Sequence, residues 1–386
     1  MNSRLTALDF ITACLKTTKG TPERDEILLS TLAAGHLDWQ IILDIVDYQK
    51  IAPAFWVALR DRKLIDYLPS KVRECLFKKY LFNTFKNKYF KEQAIKVIRQ
   101  FNSIGVEPIL LKGSASLFVK TFDDPGSRVM VDLDILVPKK TAEGCWNALL
   151  ALGYLPIEDN LHYHIDYGSH HHLRPLYHPS GHGTIEVHQD AIPNSVATIL
   201  PTKLIWEQAE PVINEWGIAM SVPSPTHRIL HNFLHSEFIN QTYARGKISL
   251  RSLYELVMVQ GFFNEKIDWE MIKQLISRNG REKVLCAWLY LAHRLFGNPM
   301  PDSVHPTFGA LIHYARTRLQ FSWDWTNQIV DRAFWFSTQS ICERYHCDDG
   351  FWAIAKGRFR LAAYLAGKRG SRALHWFRGQ ARTGHP

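Results

Sequence analysis

Between Val129 and Val137 the chain is apolar at every position except Asp132 and Asp134. Side chains on a strand alternate faces, so these two carboxylates project from the same face a few ångströms apart. An apolar strand with paired carboxylates suffers desolvation and mutual repulsion unless cations neutralise it. A divalent metal is the simplest neutraliser, and oxygen-only ligands point to Mg²⁺ or Mn²⁺ rather than zinc. Upstream, Pro108-Ile109-Leu110-Leu111 is a short apolar run that stops at Lys112-Gly113-Ser114. It reads as a buried strand ending at a tight turn, with Ser114 capping a helix over Ala115–Lys120.

Downstream, Thr141 to Leu152 has a helical pattern with Cys145, Leu149 and Leu150 inward and Gly153 as its stop. Strands are expected around His162–Tyr167, His172–Leu176 and Gly183–His188, separated by Gly and Pro turns. In the last of these, Ile185 and Val187 face one side while Thr184, Glu186 and His188 share the other. Glu186 is therefore a candidate third carboxylate for the same metal, a reading preferred over the alternative of a plain surface carboxylate. His188 is either a neighbour that orients those ligands or a packed strand histidine.

The two flanks read differently from this central part. Residues 1–105 form a helical region, and the longest helix, from Pro69 to Phe101, is rich in lysine with Phe77, Tyr80, Phe82, Phe85, Tyr89 and Phe90 interleaved. Such a helix could be a nucleic-acid-binding face; the preferred expectation is that its aromatics face the core while its lysines are solvated. Residues 106–222 form the α/β part, and residues 223–386 turn helical again. Ser224-Pro225-Thr226 opens a helix that stacks His227, His231 and His235 on one stripe, as expected for a helix lining a polar cleft.

Beyond Phe321 the chain is rich in tryptophan, and its end is basic, with Lys368, Arg369, Arg372, Arg378 and Arg382. The stretch Phe351–Phe377 is amphipathic enough either to lie against a membrane surface or to pack on the body of the protein. A net charge of +9 favours an anionic partner such as nucleotide, nucleic acid or membrane surface, without choosing among them. Six cysteines without CxxC spacing argue against a zinc ribbon or a disulfide framework and for a reducing cytoplasm. The N-terminus lacks the pattern of a signal peptide, and no apolar run is long enough for a transmembrane segment.

Together, Leu110-Leu111-Lys112-Gly113-Ser114, Asp124-Pro125-Gly126-Ser127-Arg128 and Asp132-Leu133-Asp134-Ile135-Leu136-Val137 resemble the uncharacterised nucleotidyltransferase family of the DNA polymerase β-like superfamily. Leu152-Gly153-Tyr154 and Ile185-Glu186-Val187-His188 fill the later positions of that pattern, and Leu253-Tyr254-Glu255-Leu256 extends it, with Glu255 where members carry Asp. The resemblance implies an α+β fold, in which a minimal nucleotidyltransferase core of small mixed sheet and helices is flanked by the two helical regions. It implies an enzyme that transfers NMP from an NTP and releases pyrophosphate. Asp132, Asp134 and Glu186 would hold Mg²⁺ or Mn²⁺. Lys112, Gly113 and Ser114 would meet the β- and γ-phosphates; Arg128 would either contact phosphate or fix the Asp strand through an ion pair.

The acceptor is expected to be a small molecule, peptide or protein, because the helical flanks look like closed walls. An RNA or tRNA acceptor is the alternative that the positive charge suits, and a non-catalytic nucleotide-binding module is the third reading. The histidine-rich stretch from His162 to His188 is unplaced by the resemblance. His170, His171 and His172 cannot all meet one ion from a strand, since alternate residues face opposite ways. They are therefore expected in a flexible active-site loop or surface strand rather than a zinc, copper or nickel site.

Overall fold

The computed structural model describes residues 2–16, 22–158, 170–181, 183–345 and 350–362. They fall into two compact units, 2–158 with 170–323, and 324–345 with 350–362. The expected strand at His162–Tyr167, together with His162, His164, His182 and the basic residues from Lys368 onward, lies outside the described residues.

The first unit begins with α1 (Ser3–Cys14), α2 (Pro22–Ala33), α3 (Trp39–Tyr48), α4 (Ala52–Asp61) and the long α5 (Ser70–Ser103). Asn2 and Asp38 cap α1 and α3 by accepting hydrogen bonds from first-turn amides. The central part carries β1 (Ile109–Leu110), α6 (Lys112–Ser116), β2 (Asp132–Leu136), α7 (Ala142–Ala151), β3 (Leu155–Pro156), β4 (Leu176–Tyr177), β5 (Thr184–His188), α8 (Thr202–Glu207), β6 (Glu210–Pro211) and β7 (Ser221–Val222). Then follow α9 (Pro225–Leu234), a π-helical turn over His235–Ile239, α10 (Thr242–Arg245), α11 (Leu250–Phe263), α12 (Trp269–Arg278), α13 (Glu282–Phe296) and α14 (Phe308–Ser322). Ser224 caps α9 by accepting from the His227 amide, with Pro225 at the first helical position, as the sequence signals.

Among the described residues the strands form one seven-stranded mixed sheet in the order β3-β4-β5-β2-β1-β7-β6. This is the expected α+β architecture. The two longest strands, β2 and β5, lie side by side near its centre, parallel and in register so that Asp132 opposes Thr184, Asp134 opposes Glu186 and Leu136 opposes His188. Leu133, Ile135, Ile185 and Val187 go to the opposite face and join a core with Phe90, Val97 and Ile98 of α5 and Leu149 of α7. That alternation leaves Asp132, Asp134, Glu186 and His188 together on the other face.

Three expectations are corrected. Ser114 does not cap a helix over Ala115–Lys120; it lies inside α6, whose N-cap is Leu111, without a side-chain cap. The inward stripe of α5 is not aromatic throughout: Phe82 and Phe85 are 67% and 64% exposed, while Asn83 and Asn87 are buried. The reason is what faces them. Asn83 Nδ2 donates to the carbonyls of Gly126 and Arg128 at 2.7 and 2.9 Å, and Asn87 Nδ2 donates to those of Pro125 and Arg128 at 2.7 and 2.8 Å. A buried loop backbone needs donors, so the helix presents amides where an apolar core would take phenyl rings. The strand expected over His172–Leu176 is reduced to a single bridge from His172 to His188, and β4 starts at Leu176.

In the second unit are α15 (Asp324–Trp335), α16 (Thr338–Tyr345) and a helix over 351–362, where Arg358 Nε donates to the Phe336 carbonyl at 2.9 Å. The part of the amphipathic stretch beyond residue 362 lies outside the described residues. No described helix is long and apolar enough to cross a membrane.

Candidate active site

Asp134 is fixed from three directions. Its amide donates to the Ser114 hydroxyl at 2.8 Å, and its carbonyl accepts from the Leu111 amide at 3.0 Å, which together bolt α6 to β2. Its carboxylate oxygen Oδ1 takes both Lys112 Nζ at 2.6 Å and His188 Nε2 at 3.0 Å. The other oxygen, Oδ2, has no donor among the described residues. Burial opposes ionisation of Asp134, but Lys112 and His188 outweigh it and hold its pKa well below the ordinary range. The same partnership raises the pKa of Lys112 against the effect of its burial.

Asp132 is the opposite case. Its carboxylate has no hydrogen bond or ion pair among the described residues, and burial, followed by the nearby charge of Asp134, pushes its pKa up. Glu186 sits across the register from Asp134. His188 Nε2 lies 3.4 Å from Glu186 Oε2, and His172 Nε2 lies 3.8 Å from the same oxygen. Burial would raise the Glu186 pKa, yet the His188 contact leaves it lowered. His188 itself is wholly buried, and its pKa is raised because the Asp134 and Glu186 hydrogen bonds outweigh desolvation.

The ligand atoms of Asp134, Glu186 and His188 lie within 4.8 Å of one another, a set able to hold a divalent metal. Two features fit such an ion: the donorless Oδ2 of Asp134 and the partnerless carboxylate of Asp132 beside it. This group differs from the oxygen-only set expected from sequence by an imidazole in place of the Asp132 carboxylate. Asp132 is not part of that three-residue group, and stands on its cavity side.

The cavity has a volume of about 340 Å³ and takes Asp132, Asp134, Lys112, Gly113 and Arg128 as its sheet-side wall. Its helical wall is made by Arg228, His231, Asn232, His235 and Ser236 after α9 begins, and by Arg251, Ser252 and Glu255 of α11. The expectation that the histidine stripe lines a polar cleft holds for His231 and His235. His227 is fully buried and is not among the lining residues. Burial, then Lys112, keeps His231 well below its ordinary pKa and His235 at about 4, so both rings are neutral at neutral pH.

Arg128 does not pair with the Asp strand. It forms a two-pronged ion pair with Glu255, Nη2 reaching Oε1 at 3.1 Å and Oε2 at 2.8 Å. Ser114 is buried, with its hydroxyl engaged by Asp134 and its amide by the Leu111 carbonyl at 3.0 Å. Arg228 and Arg251 were not singled out by sequence reasoning as site residues; their only local signal is their place on the cavity-facing stripes of two helices, which sequence alone does not fix.

The three consecutive histidines lie in a bend and not on a strand, the loop alternative of the two expected. Residues 170–172 bend rather than extend, so the rings of His170, His171 and His172 sit 4.2 to 4.6 Å apart, centroid to centroid. Their ring nitrogens form a second group compact enough to hold a metal. The bend is pinned to the end of β5, since the Gln189 and Asp190 amides both donate to the His171 carbonyl at 3.0 Å.

The model of a family described as an uncharacterised nucleotidyltransferase matches residues 35–297, a span that contains every residue lining the cavity. No curated protein matches the chain.

Proposed function

Since the chain belongs to the uncharacterised nucleotidyltransferase family, matched over residues 35–297, we propose that it transfers NMP from an NTP such as ATP to a hydroxyl or phosphate of a small-molecule, peptide or protein acceptor. The reading includes Mg²⁺ or Mn²⁺ held by Asp132, Asp134 and Glu186, and a cytoplasmic setting, where NTP is supplied. The observation that carries it is Asp132: a carboxylate without a partner, beside the ionised Asp134, on one wall of a cavity whose other walls are cationic. When bound, a divalent ion there would lower the barrier by activating the acceptor oxygen and neutralising charge on the departing pyrophosphate.

The chain's own residues do the positioning. Lys112 and the Ser114 hydroxyl hold Asp134 to one rotamer and one height on β2. His188 does the same for Asp134 and Glu186 jointly. Lys112, Gly113 and Arg128 all line the cavity and are assigned contact with the phosphates from the sheet side, with Ser114 acting through the Asp134 amide. In the transfer, the acceptor oxygen bonds the α-phosphorus, the α–β bridging oxygen leaves with pyrophosphate, and the acceptor proton is released to solvent. The cavity volume of about 340 Å³ is at the lower end of small-molecule sites, which run from about 300 to 1,000 Å³ and suit a compact acceptor group.

An RNA acceptor is the second reading, favoured by Phe82 and Phe85, which stand exposed on the lysine-rich α5 where bases could stack. The test is incubation with α-labelled NTPs and Mg²⁺ or Mn²⁺, with metabolite extract, protein or total RNA as acceptor. Label is expected on a small molecule or protein, with pyrophosphate released in step; label on RNA selects the second reading. Asp132→Asn should lower the rate by about a hundredfold or more, through the loss of several kcal/mol of charge stabilisation, and leave the circular dichroism unchanged. Metal-dependent NTP binding without any turnover would replace the enzyme with a nucleotide-binding module.

A further inference from the structure

Charge pairing in the cavity is incomplete on both sides. Lys112 is taken by Asp134 at 2.6 Å and Arg128 by Glu255 at 2.8 Å. Among the described residues, no carboxylate lies within ion-pair distance of the other two guanidinium groups lining the cavity, Arg228 and Arg251. Glu255 is near enough to act on both electrostatically, as are Asp132 and Asp134 on Arg251 and Glu210 on Arg228, but none is in ion-pair contact with either, and the two oxygens of Glu255 are already engaged by Arg128. Among the described residues, Asp132 on the sheet wall and the two guanidinium groups on the helical wall are thus left without a direct ion pair.

The bonds that Arg228 and Arg251 do make are to neutral groups. Arg228 Nη2 donates to Thr121 Oγ1 at 2.8 Å and Ser116 Oγ at 3.3 Å, while its Nη1 is buried and has no acceptor. Arg251 Nη2 donates to the Val129 carbonyl at 3.0 Å. The helices that carry them are tied together one turn from Arg228 and one residue from Arg251. Asn232 Nδ2 donates to the Ser252 carbonyl and Ser252 Oγ donates to Asn232 Oδ1, both at 2.9 Å. The two guanidinium groups thus stand on a common rigid frame. Burial lowers the pKa of Arg228 to about 10 and also lowers that of Arg251, and both remain charged at neutral pH. A buried, charged guanidinium with a donor unused is stabilised by an anion with several acceptor oxygens, and its planar fork matches phosphate.

Resting on the nucleotidyltransferase reading of this cavity, we infer that Arg228 and Arg251 form the subsite for the pyrophosphate portion of the nucleotide, facing the metal-binding carboxylates across the cavity. The ligand class is a di- or triphosphate, and the subsite retains the leaving group while the α-phosphate lies toward Asp132. Ser116 and Thr121 hold Arg228 in place by its Nη2 edge, and its unpartnered Nη1 leaves the buried charge uncompensated by the protein.

The test uses the full-length protein and inorganic pyrophosphate, with and without Mg²⁺, by titration calorimetry. The wild type is expected to bind. Arg251→Gln and Arg228→Lys, each checked by circular dichroism, should weaken binding by about tenfold to a hundredfold, the scale of one or two lost charge-assisted hydrogen bonds. Asp132→Asn should bind metal-free pyrophosphate no more weakly than the wild type, as it removes repulsion rather than a contact. Wild-type protein that binds no pyrophosphate under either condition overturns the inference, as do folded Arg251→Gln and Arg228→Lys proteins of wild-type affinity. If Arg228→Lys does not fold, Arg251→Gln alone decides. Arginine-dependent pyrophosphate binding in a protein that never transfers label would instead leave this subsite standing and sink the enzymatic reading.

Discussion

Gly113 shows how one residue can carry a packing role that the sequence does not reveal. The sequence suggests a glycine that lets phosphate come close. In the fold, a Cβ at this position would collide with Arg128 Nη1 and lie 2.6 Å from Met130 Sδ, so the glycine makes room for the guanidinium that grips Glu255. Gly113→Ala should therefore displace Arg128 and loosen the pair. It should cost about 1–3 kcal/mol, the usual price of overpacking, read as a lower midpoint in urea unfolding at unchanged slope. An unchanged midpoint would mean that Arg128 can step aside freely. Ser114 is a parallel case, since a side chain expected to face outward at a helix cap instead meets the Asp134 amide.

At the scale of elements, two segments depart from regular pattern, and both serve the cavity. On α5, Asn83 and Asn87 replace apolar residues on the inward stripe because they satisfy the carbonyls of the loop leading to Arg128. After α9, the π-helical turn His235–Ile239 buries Glu237, whose carboxylate accepts from Ser236 Oγ at 2.7 Å and from the backbone of Tyr243. Burial raises the Glu237 pKa from 4.5 to about 7, against the smaller effect of its hydrogen bonds. Below about pH 4.5 the group is protonated folded or unfolded, and it costs nothing. As the pH rises toward 7 the unfolded chain gives up its proton first, so the folded state loses roughly 3 kcal/mol, and above 7 the penalty is constant. Glu237→Gln should match the wild type near pH 4.5 and become progressively more stable than it up to pH 7.5. A pH-independent difference in melting temperature between the two proteins would refute this assignment.

For the molecule as a whole, the two helical flanks are not separate bodies within the first unit. Leu8, Ile11 and Phe55 from the N-terminal helices share one core with Phe233, Trp288 and Leu295 from the later ones. Asn2 Nδ2 reaches the Ser322 carbonyl at 2.9 Å and Arg4 Nε reaches that of Phe321 at 3.1 Å, so α1 is fastened to the end of α14. A chain ending at Trp323 should accordingly keep a cooperative thermal transition and bind pyrophosphate. One ending before Phe308 strips α14 from α1 and α13, and should melt at a lower temperature or not fold. A non-cooperative melt of the chain ending at Trp323 would show that the first unit depends on residues beyond it.

What the sequence determined by itself was local and periodic. Alternation put Asp132 and Asp134 on one strand face and Glu186 on the matching face of another, and cap chemistry placed the start of α9. Those properties depend on neighbours a few residues apart, so they survive without knowledge of the fold. The tertiary structure decided everything that depends on which surfaces meet. Pairing of β2 with β5 set Glu186 opposite Asp134, and Glu255 rather than the Asp strand took Arg128. The bend at residues 170–172 gathered three histidines, and packing of α9 against α11 brought Arg228 and Arg251 to one cavity. Ion pairs and close contacts are fixed by distance in space, and residues 127 positions apart, as Arg128 and Glu255 are, leave no periodic trace of it in the chain.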